Sequence, residues 1–409
     1  PPTSLPEDVP AGWQRYDGIS CRFPLYIQGA KGIPLPHIEW EPCPAPIPAD
    51  LGCRRIKAGW GFAGEGQISV YPRFWRDGTT GKSFIEVNRA DRPTDRIFLI
   101  VTELDGSVRV AFLQRRYSSS VTFGGPDAIA DGRYVFGVVG GEIDGFIGGR
   151  IGEAYPRVAY AGTHQTRWYS NWAASEGWIV RFNAFVSKTA WNPILVEEIP
   201  LPGSVGGGLE PHLGFGVGKD IFWEVGSQDL SGVVSWSMAE GARSLLVWPN
   251  DPLHSAGNFG TDGQEMAWTY ADQRDSATGE WSRVSVMTGP YTTDPEQLKT
   301  TARRLRSDFG SFSPYPYHVG CGYAARVIGM NQSFALFIVR LRDGVSWIIP
   351  DGQQTGSWRF GLASIGIACN TAGEQVEVLS TFYGPETWAQ RVTMVRIPLA
   401  NLGPGLPPD

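Results

Sequence analysis

Five histidines are the first residues to weigh, because imidazole is both a common metal ligand and a proton carrier near neutral pH. They are His37, His164, His212, His254 and His318. Three share a setting. His212 follows Pro211, His254 closes the stretch Pro249-Asn250-Asp251-Pro252-Leu253-His254, and His318 follows Tyr315-Pro316-Tyr317. Brought to one place, His212, His254 and His318, with Tyr317 beside the last, would bind a metal ion, a glycan acid or a small anion. The plainer reading is one structural histidine repeated with a repeated unit and bonded to its own loop. The sequence calls for no cofactor, and a metal ion would have this histidine set as its place.

The densest aromatic cluster is Trp168-Tyr169 with Trp172 and Trp178, next to Arg167, in a chain with 16 Trp and 14 Tyr. Aromatic faces stack on sugars and Arg grips carboxylates, so Arg167, Trp168 and Tyr169 are ligand candidates. Packing between twisted sheets accounts for the same residues. Paired carboxylates for glycoside chemistry must face each other across a substrate. Glu142-Ile143-Asp144 and Glu197-Glu198 are adjacent only along the chain.

Several phosphate and nucleotide patterns almost match. Gly59-Trp60-Gly61-Phe62-Ala63-Gly64 fits GxGxxG, but strand-like Gly66–Tyr71 follows it where a helix N-terminus would have to face a pyrophosphate. Gly78-Thr79-Thr80-Gly81-Lys82-Ser83 has Arg76 where a phosphate loop needs its first Gly, and it too runs into a strand pattern. Asp275-Ser276-Ala277-Thr278-Gly279-Glu280-Trp281 approaches the SxDxGxxW box of sialidase propellers, with its Asp misplaced. No GxSxG elbow and no HExxH occurs.

The cysteines are Cys21, Cys43, Cys53, Cys321 and Cys369. Cys43 and Cys53 bracket a Pro- and Gly-rich loop that a disulfide would close, and Cys321 and Cys369 lie one repeat apart and could also pair. Cys21 is then odd, or displaces one of these partners. Five buried thiols are the alternative. No cysteine and histidine grouping has zinc spacing.

The elements that must carry these residues are short strands. Asp-Gly recurs eight times, at 17-18, 77-78, 105-106, 131-132, 144-145, 262-263, 343-344 and 351-352, and it fits a two-residue hairpin turn. Arg96–Leu104 runs into Asp105-Gly106 and returns as Ser107–Phe112; Leu336–Arg342 runs into Asp343-Gly344 and returns as Val345–Ile349. Helical pattern is scarce. Its best case is Asp294 as cap, Pro295 as first helical residue, and Leu298, Ala302 and Leu305 lining one face. A doubly wound α/β sheet would need a helix after nearly every strand.

One internal echo sets a period. His212-Leu213-Gly214-Phe215-Gly216-Val217 returns as His318-Val319-Gly320-Cys321-Gly322-Tyr323. If the two copies are two repeats apart, each repeat is about 53 residues, and residues 12–402 hold about seven. The fold expected is all-β, a single β-propeller of about seven four-stranded blades. Six or eight blades, or paired β-sandwiches, are the alternatives. Residues 1–11 read as a Pro-rich N-terminal tail, 12–402 as the propeller, and 403–409 as a Pro/Gly-rich C-terminal tail.

Composition bounds the function. Hydrophobic residues make 42% and charged residues 19% of 409, which is globular. A net charge of −6 leaves no electrostatic footprint for nucleic acid. No apolar run is long enough for a membrane-spanning helix. The Pro-rich start reads as the stub of a removed export signal, so an extracellular, periplasmic or cell-surface location is expected.

Three segments resemble a group of uncharacterised secreted or lipid-anchored propeller proteins of myxobacterial type. They are Ile38–Cys43 with Gly52-Cys53-Arg54, then Met287–Pro295, then Val319–Ala324. The resemblance implies an envelope location and a propeller, and brings no activity and no functional residues with it. The function expected is a non-catalytic exported platform that binds a protein or surface glycan, or assembles with itself. The alternative is a propeller hydrolase or lyase acting on polysaccharide at the channel mouth.

Overall fold

The computed structural model describes the backbone of residues 28–29, 40–43, 49–57, the strands between 68 and 200 given below, 210–226, 231–237, 239–246, 255–274, 281–307, 316–330, 333–350, 359–369, 376–383 and 392–409. Side chains are described within 40–57 and 216–409.

The strands form seven antiparallel sheets, five of them simple meanders in chain order and two joined by strands from the start of the chain. Blade 1 is Ile68–Arg76, Ser83–Arg89, Arg96–Val101 and Val108–Gln114, edged by Gln28–Gly29. Blade 2 is Val121–Ala130, Arg133–Gly140, Ile143–Arg150 and Arg157–Gly162. Blade 3 is Ser170–Ser175, Trp178–Asn183, Thr189–Asn192 and Glu197–Pro200. Blade 4 is Glu210–Val217, Asp220–Gly226, Ser231–Ser237 and Gly241–Ser244. Blade 5 is Ser255–Thr261, Glu265–Arg274, Trp281–Pro290 and Arg303–Ser307. Blade 6 is His318–Gly320, Tyr323–Met330, Ser333–Arg340 and Ser346–Pro350. Blade 7 takes only Arg359–Cys369, Val376–Tyr383 and Val392–Pro398 from the C-terminal part of the chain. Arg54–Ile56 and Trp40–Pro42 complete it.

This last pairing closes the ring. Arg54 and Arg55 lie opposite Arg396 and Val395, so an early strand of the chain holds the last one and blade 7 is completed from both ends of the chain. The first strand of blade 7 lies against the first strand of blade 1. First strands also neighbour each other from blade 1 to blade 4 and from blade 5 to blade 7, which places them around the centre. The chain is a single seven-bladed β-propeller.

Four contacts reinforce the closing blade. Cys43 and Cys53 form a disulfide across the added hairpin. Arg55 pairs with Glu41 at 2.7 Å, and Arg396 lies 4.6 Å over the Trp40 ring. A second disulfide, Cys321–Cys369, ties the inner hairpin of blade 6 to the end of the inner strand of blade 7. Both expected cysteine pairs are present. Cys21 lies outside the described residues.

The core fills the gaps between blades. Phe222, Phe259, Met266 and Trp268 pack between blades 4 and 5; Phe337, Val339, Ala267 and Val286 between blades 5 and 6; Ile338, Ile349, Ile367 and Val378 between blades 6 and 7. Each fully buried large apolar side chain contributes about 1.5–3 kcal/mol, and alternation along each strand lets both faces of a blade contribute.

Local details differ from the sequence reading in two places. The helix covers only Pro295–Thr301. Asp294 caps it, accepting from the Glu296 N–H at 2.9 Å, and Leu298 is buried as expected. Ala302 is already extended, and Leu305 sits in the outer strand of blade 5, whose ladder to Trp281–Pro290 outweighs another helical turn. Asp343-Gly344 is not a two-residue turn either. Val339 pairs with Ser346, Arg340 N–H donates to Val345 O, and the Asp343 carboxylate caps the longer loop by accepting from Val345 N–H at 3.2 Å.

Candidate functional site

Inner strands in five blades carry a register shift. The shifts fall between Val70 and Phe74, from Phe123 to Ala128, and between Pro211 and Gly214, Gly257 and Gly260, and Phe360 and Ile365. In blades 4 and 5 two residues oppose one, as in a β-bulge, which turns side chains out of the ladder. In blade 4 the extra pair is His212-Leu213, opposite Glu224. In blade 5 it is Asn258-Phe259, opposite Trp268.

At the blade 5 bulge, Asn258 takes the left-handed backbone, φ 54°. That turn brings two successive N–H groups round to one side. The Phe259 N–H donates to Glu224 Oε1 of blade 4 at 2.7 Å, and the Asn258 N–H also hydrogen-bonds this carboxylate. On its other side Asn258 meets blade 6. Arg326 Nη1 donates to Asn258 Oδ1 at 2.8 Å, and the Tyr317 N–H donates to Asn258 O at 2.9 Å. The Arg326 guanidinium lies 5.1 Å over the Tyr317 ring, a buried cation–π contact. Gly260 is required here. A Cβ at that position would collide with the Tyr317 carbonyl.

Glu224, Asn258, Tyr317 and Arg326 thus join three consecutive blades. Burial is the largest influence on Glu224 and pushes its carboxyl up to about 7, against the opposing pull of Phe259 N–H, Arg326 and Asn258 N–H. The neighbouring His318 opens the inner strand of blade 6 opposite Ala325, and burial pushes its imidazole down to about 4, so it is neutral at physiological pH. A carboxyl that exchanges its proton near pH 7 has the protonation of a general acid.

Of the residues singled out from sequence, Tyr317 falls in this cluster, and His318 follows it at the start of the inner strand of blade 6. His212 lies in the blade 4 bulge at the level of Glu224, and its side chain is not among those described. His254, Arg167, Trp168 and Tyr169 lie outside the described residues, as do residues 1–11. Among the described residues no three His, Cys, Asp or Glu side chains come together as metal ligands. The echo that set the period is real in spacing but shifted in structure. Gly320 is the last paired residue of its strand, whereas its match Gly214 lies three residues before the last pair, Val217 with Asp220.

Glu224, Asn258 and Arg326 escaped the sequence reading. The signal for Glu224 and Arg326 was a single charge inside each of two apolar second strands, Ile221-Phe222-Trp223-Glu224-Val225 and Ala324-Ala325-Arg326-Val327-Ile328; Asn258 carried none. A lone charge on such a strand is tolerated only when something pairs with it.

No family model matches the chain, and no curated protein matches it in sequence. Similar solved structures include TolB from Acinetobacter baumannii, 9% identical with a TM-score of 0.39, over 70% of this chain and 63% of that one. The chain therefore spans less than two thirds of TolB's length. An oligogalacturonate lyase in complex with manganese is 11% identical with a TM-score of 0.47, over 82% of this chain and 99% of that one. The oligogalacturonate lyase from Vibrio parahaemolyticus gives 9%, 0.47, 82% and 99%. At these scores the propeller assignment rests on the sheet order and ring closure described above.

Proposed function

We propose that this chain is an exported, non-catalytic propeller that serves as a binding or assembly platform. The observation that carries this reading is how the charges nearest the centre are used. Glu224 and Arg326 each hold the Asn258-Phe259 bulge of the blade between them, so they stiffen the ring. Two disulfides at the closing blade suit an oxidising compartment, which supports export. A surface glycan, a protein or a further copy of the chain is the partner class such a platform takes.

One observation favours the alternative, a polysaccharide-active hydrolase or lyase. A carboxyl near 7 is where a general acid operates. A polysaccharide panel, read for reducing ends and for unsaturated products, separates the two. The platform reading expects binding without turnover. Turnover lost in Glu224→Gln would replace it with the enzyme. Native mass spectrometry before and after chelation and reduction would report copies, metal and disulfides together.

A further inference from the structure

The segment after blade 7 runs back across the outer rim of blades 6 and 5. Past the short helix Leu399–Leu402, Gly403 O accepts from the Trp347 indole N–H at 3.1 Å. Leu406 and Ser346 exchange both backbone hydrogen bonds, at 3.0 and 2.7 Å, adding one antiparallel bridge to the free edge of blade 6. Gly405 is left-handed at φ 74°, and any Cβ there would strike Val345 and the Trp347 ring. The segment ends in a carboxylate pocket. Asp409 Oδ2 accepts from the Ser307 N–H at 2.5 Å, its Oδ1 lies 3.5 Å from Arg306 Nη2, and Arg304 stands at 3.7 Å. Arg306 is only 4% exposed and also donates to Ser346 Oγ. A buried guanidinium, a backbone N–H and an edge strand together make a receptor for an extended peptide bearing an acid.

The occupant is loosely held for so specific a receptor. Residues 406–409 are exposed along their whole length, with one ladder bridge among them. Leu406 is 46% exposed, the exposed large hydrophobic among the described residues. Pro404, Pro407 and Pro408 keep the segment extended and lower the cost of ordering it. Few bonds and an outward leucine describe an element that opens locally at little cost and gains burial when another molecule covers it.

We propose that the groove formed by Ser346, Trp347, Arg306 and Ser307 accepts residues 403–409 from a second copy of this chain, exchanging the internal strap for an intermolecular one. The proposal names a docking surface on the rim and does not rest on the platform reading of the central face. An element that binds its own chain through a flexible glycine junction can bind the identical groove of another copy with the same contacts.

The test uses the full chain and a fluorescent peptide copying residues 403–409, amidated so that its one carboxylate is that of the aspartate. Anisotropy should show saturable binding, at least about tenfold tighter to the Asp409→Asn protein, whose own strap is weakened, than to the unaltered chain. A peptide with Asn for Asp should bind at least about tenfold more weakly. Sedimentation of the unaltered chain should show a dimer that excess peptide dissociates. Absence of saturable binding to both proteins, or indifference to the Asp-to-Asn change, overturns the groove. Peptide binding without a peptide-sensitive dimer overturns the second copy as its partner. Either failure leaves binding at the central face untouched, so the two readings fail separately.

Discussion

The centre and the rim of this propeller use the same chemistry to opposite ends. In both places an arginine and a carboxylate bridge neighbouring blades. At the centre, Arg326 is fully buried beside a largely buried Glu224, and burial drives the Glu224 carboxyl up to about 7. At the rim, hydrogen bonds from Ser307, aided by the Arg306 and Arg304 charges, hold the Asp409 carboxyl below its ordinary range. The partners are alike, and access to water decides which influence prevails. Shielded charges become costly to separate and so make a rigid hub. Hydrated ones exchange partners at little cost and so make a reversible clasp.

The largest expected effect breaks the hub. Arg326→Met leaves the Glu224 carboxylate and the Asn258 side chain buried without their cation, and should cost about 3–5 kcal/mol in denaturant unfolding. Adding Glu224→Gln to it should recover part of that loss. A single-variant cost under about 1 kcal/mol would abolish the contrast between hub and clasp.

The two disulfides sharpen the same contrast. Cys321–Cys369 spans 48 residues and clamps inner strands, whereas Cys43–Cys53 spans 10 and clamps the outer hairpin. Chain entropy alone assigns about 4 kcal/mol to the longer loop and about 3 to the shorter. Replacing each pair by serines and comparing melting should rank them in that order. The reverse ranking would mean that closure depends on the outer hairpin more than on the inner strands.

Next in size is a pH effect hidden by cancellation. Glu224 binds its proton more tightly folded than unfolded, so its contribution is complete below pH 4.5 and fades as pH rises through 7. His318 is the opposite case. Its contribution is complete above pH 6.5 and fades as pH falls through 4. Between 4.5 and 6.5 the two slopes, about 1.4 kcal/mol per pH unit each, oppose one another. Relative to the unaltered chain, Glu224→Gln should gain stability as pH rises from 4.5 to 7, and His318→Gln should lose it from 4 to 6.5. Parallel profiles for all three proteins would show that neither group titrates as described.

The smallest effect belongs to the clasp. Asp409→Asn should cost about 1.4 kcal/mol of global stability, the equivalent of the tenfold change in strap affinity, while hydrogen exchange at Ser346 and Leu406 speeds up. A loss comparable to Arg326→Met would make the strap part of the hub.

Much of the fold was legible because its signals are local. Alternation in Val108-Arg109-Val110-Ala111-Phe112 requires only that one face of a strand be buried, and that strand pairs as expected with Arg96–Val101. The cysteine separations pointed to both bonds. The count of seven followed from an echo whose two copies do lie two blades apart, although they are three residues out of register. Its spacing survived because blades have similar lengths, while Gly recurs on inner strands for more than one reason.

The rest depends on contacts between distant parts of the chain. That Leu305 leaves its helix for a strand was decided by the open edge of Trp281–Pro290. That Arg54–Ile56 completes the last blade was decided by ring closure. Glu224 meets the Asn258-Phe259 bulge across 35 residues and Arg326 meets Asn258 across 68, because three separate strands reach the same level beside the centre. By itself, the sequence determined strand, turn, cap and disulfide, since those follow from backbone preference and short-range periodicity. Only the tertiary structure decided which charges become partners and which of them water can reach, because burial belongs to the assembled blades and to no segment of the chain.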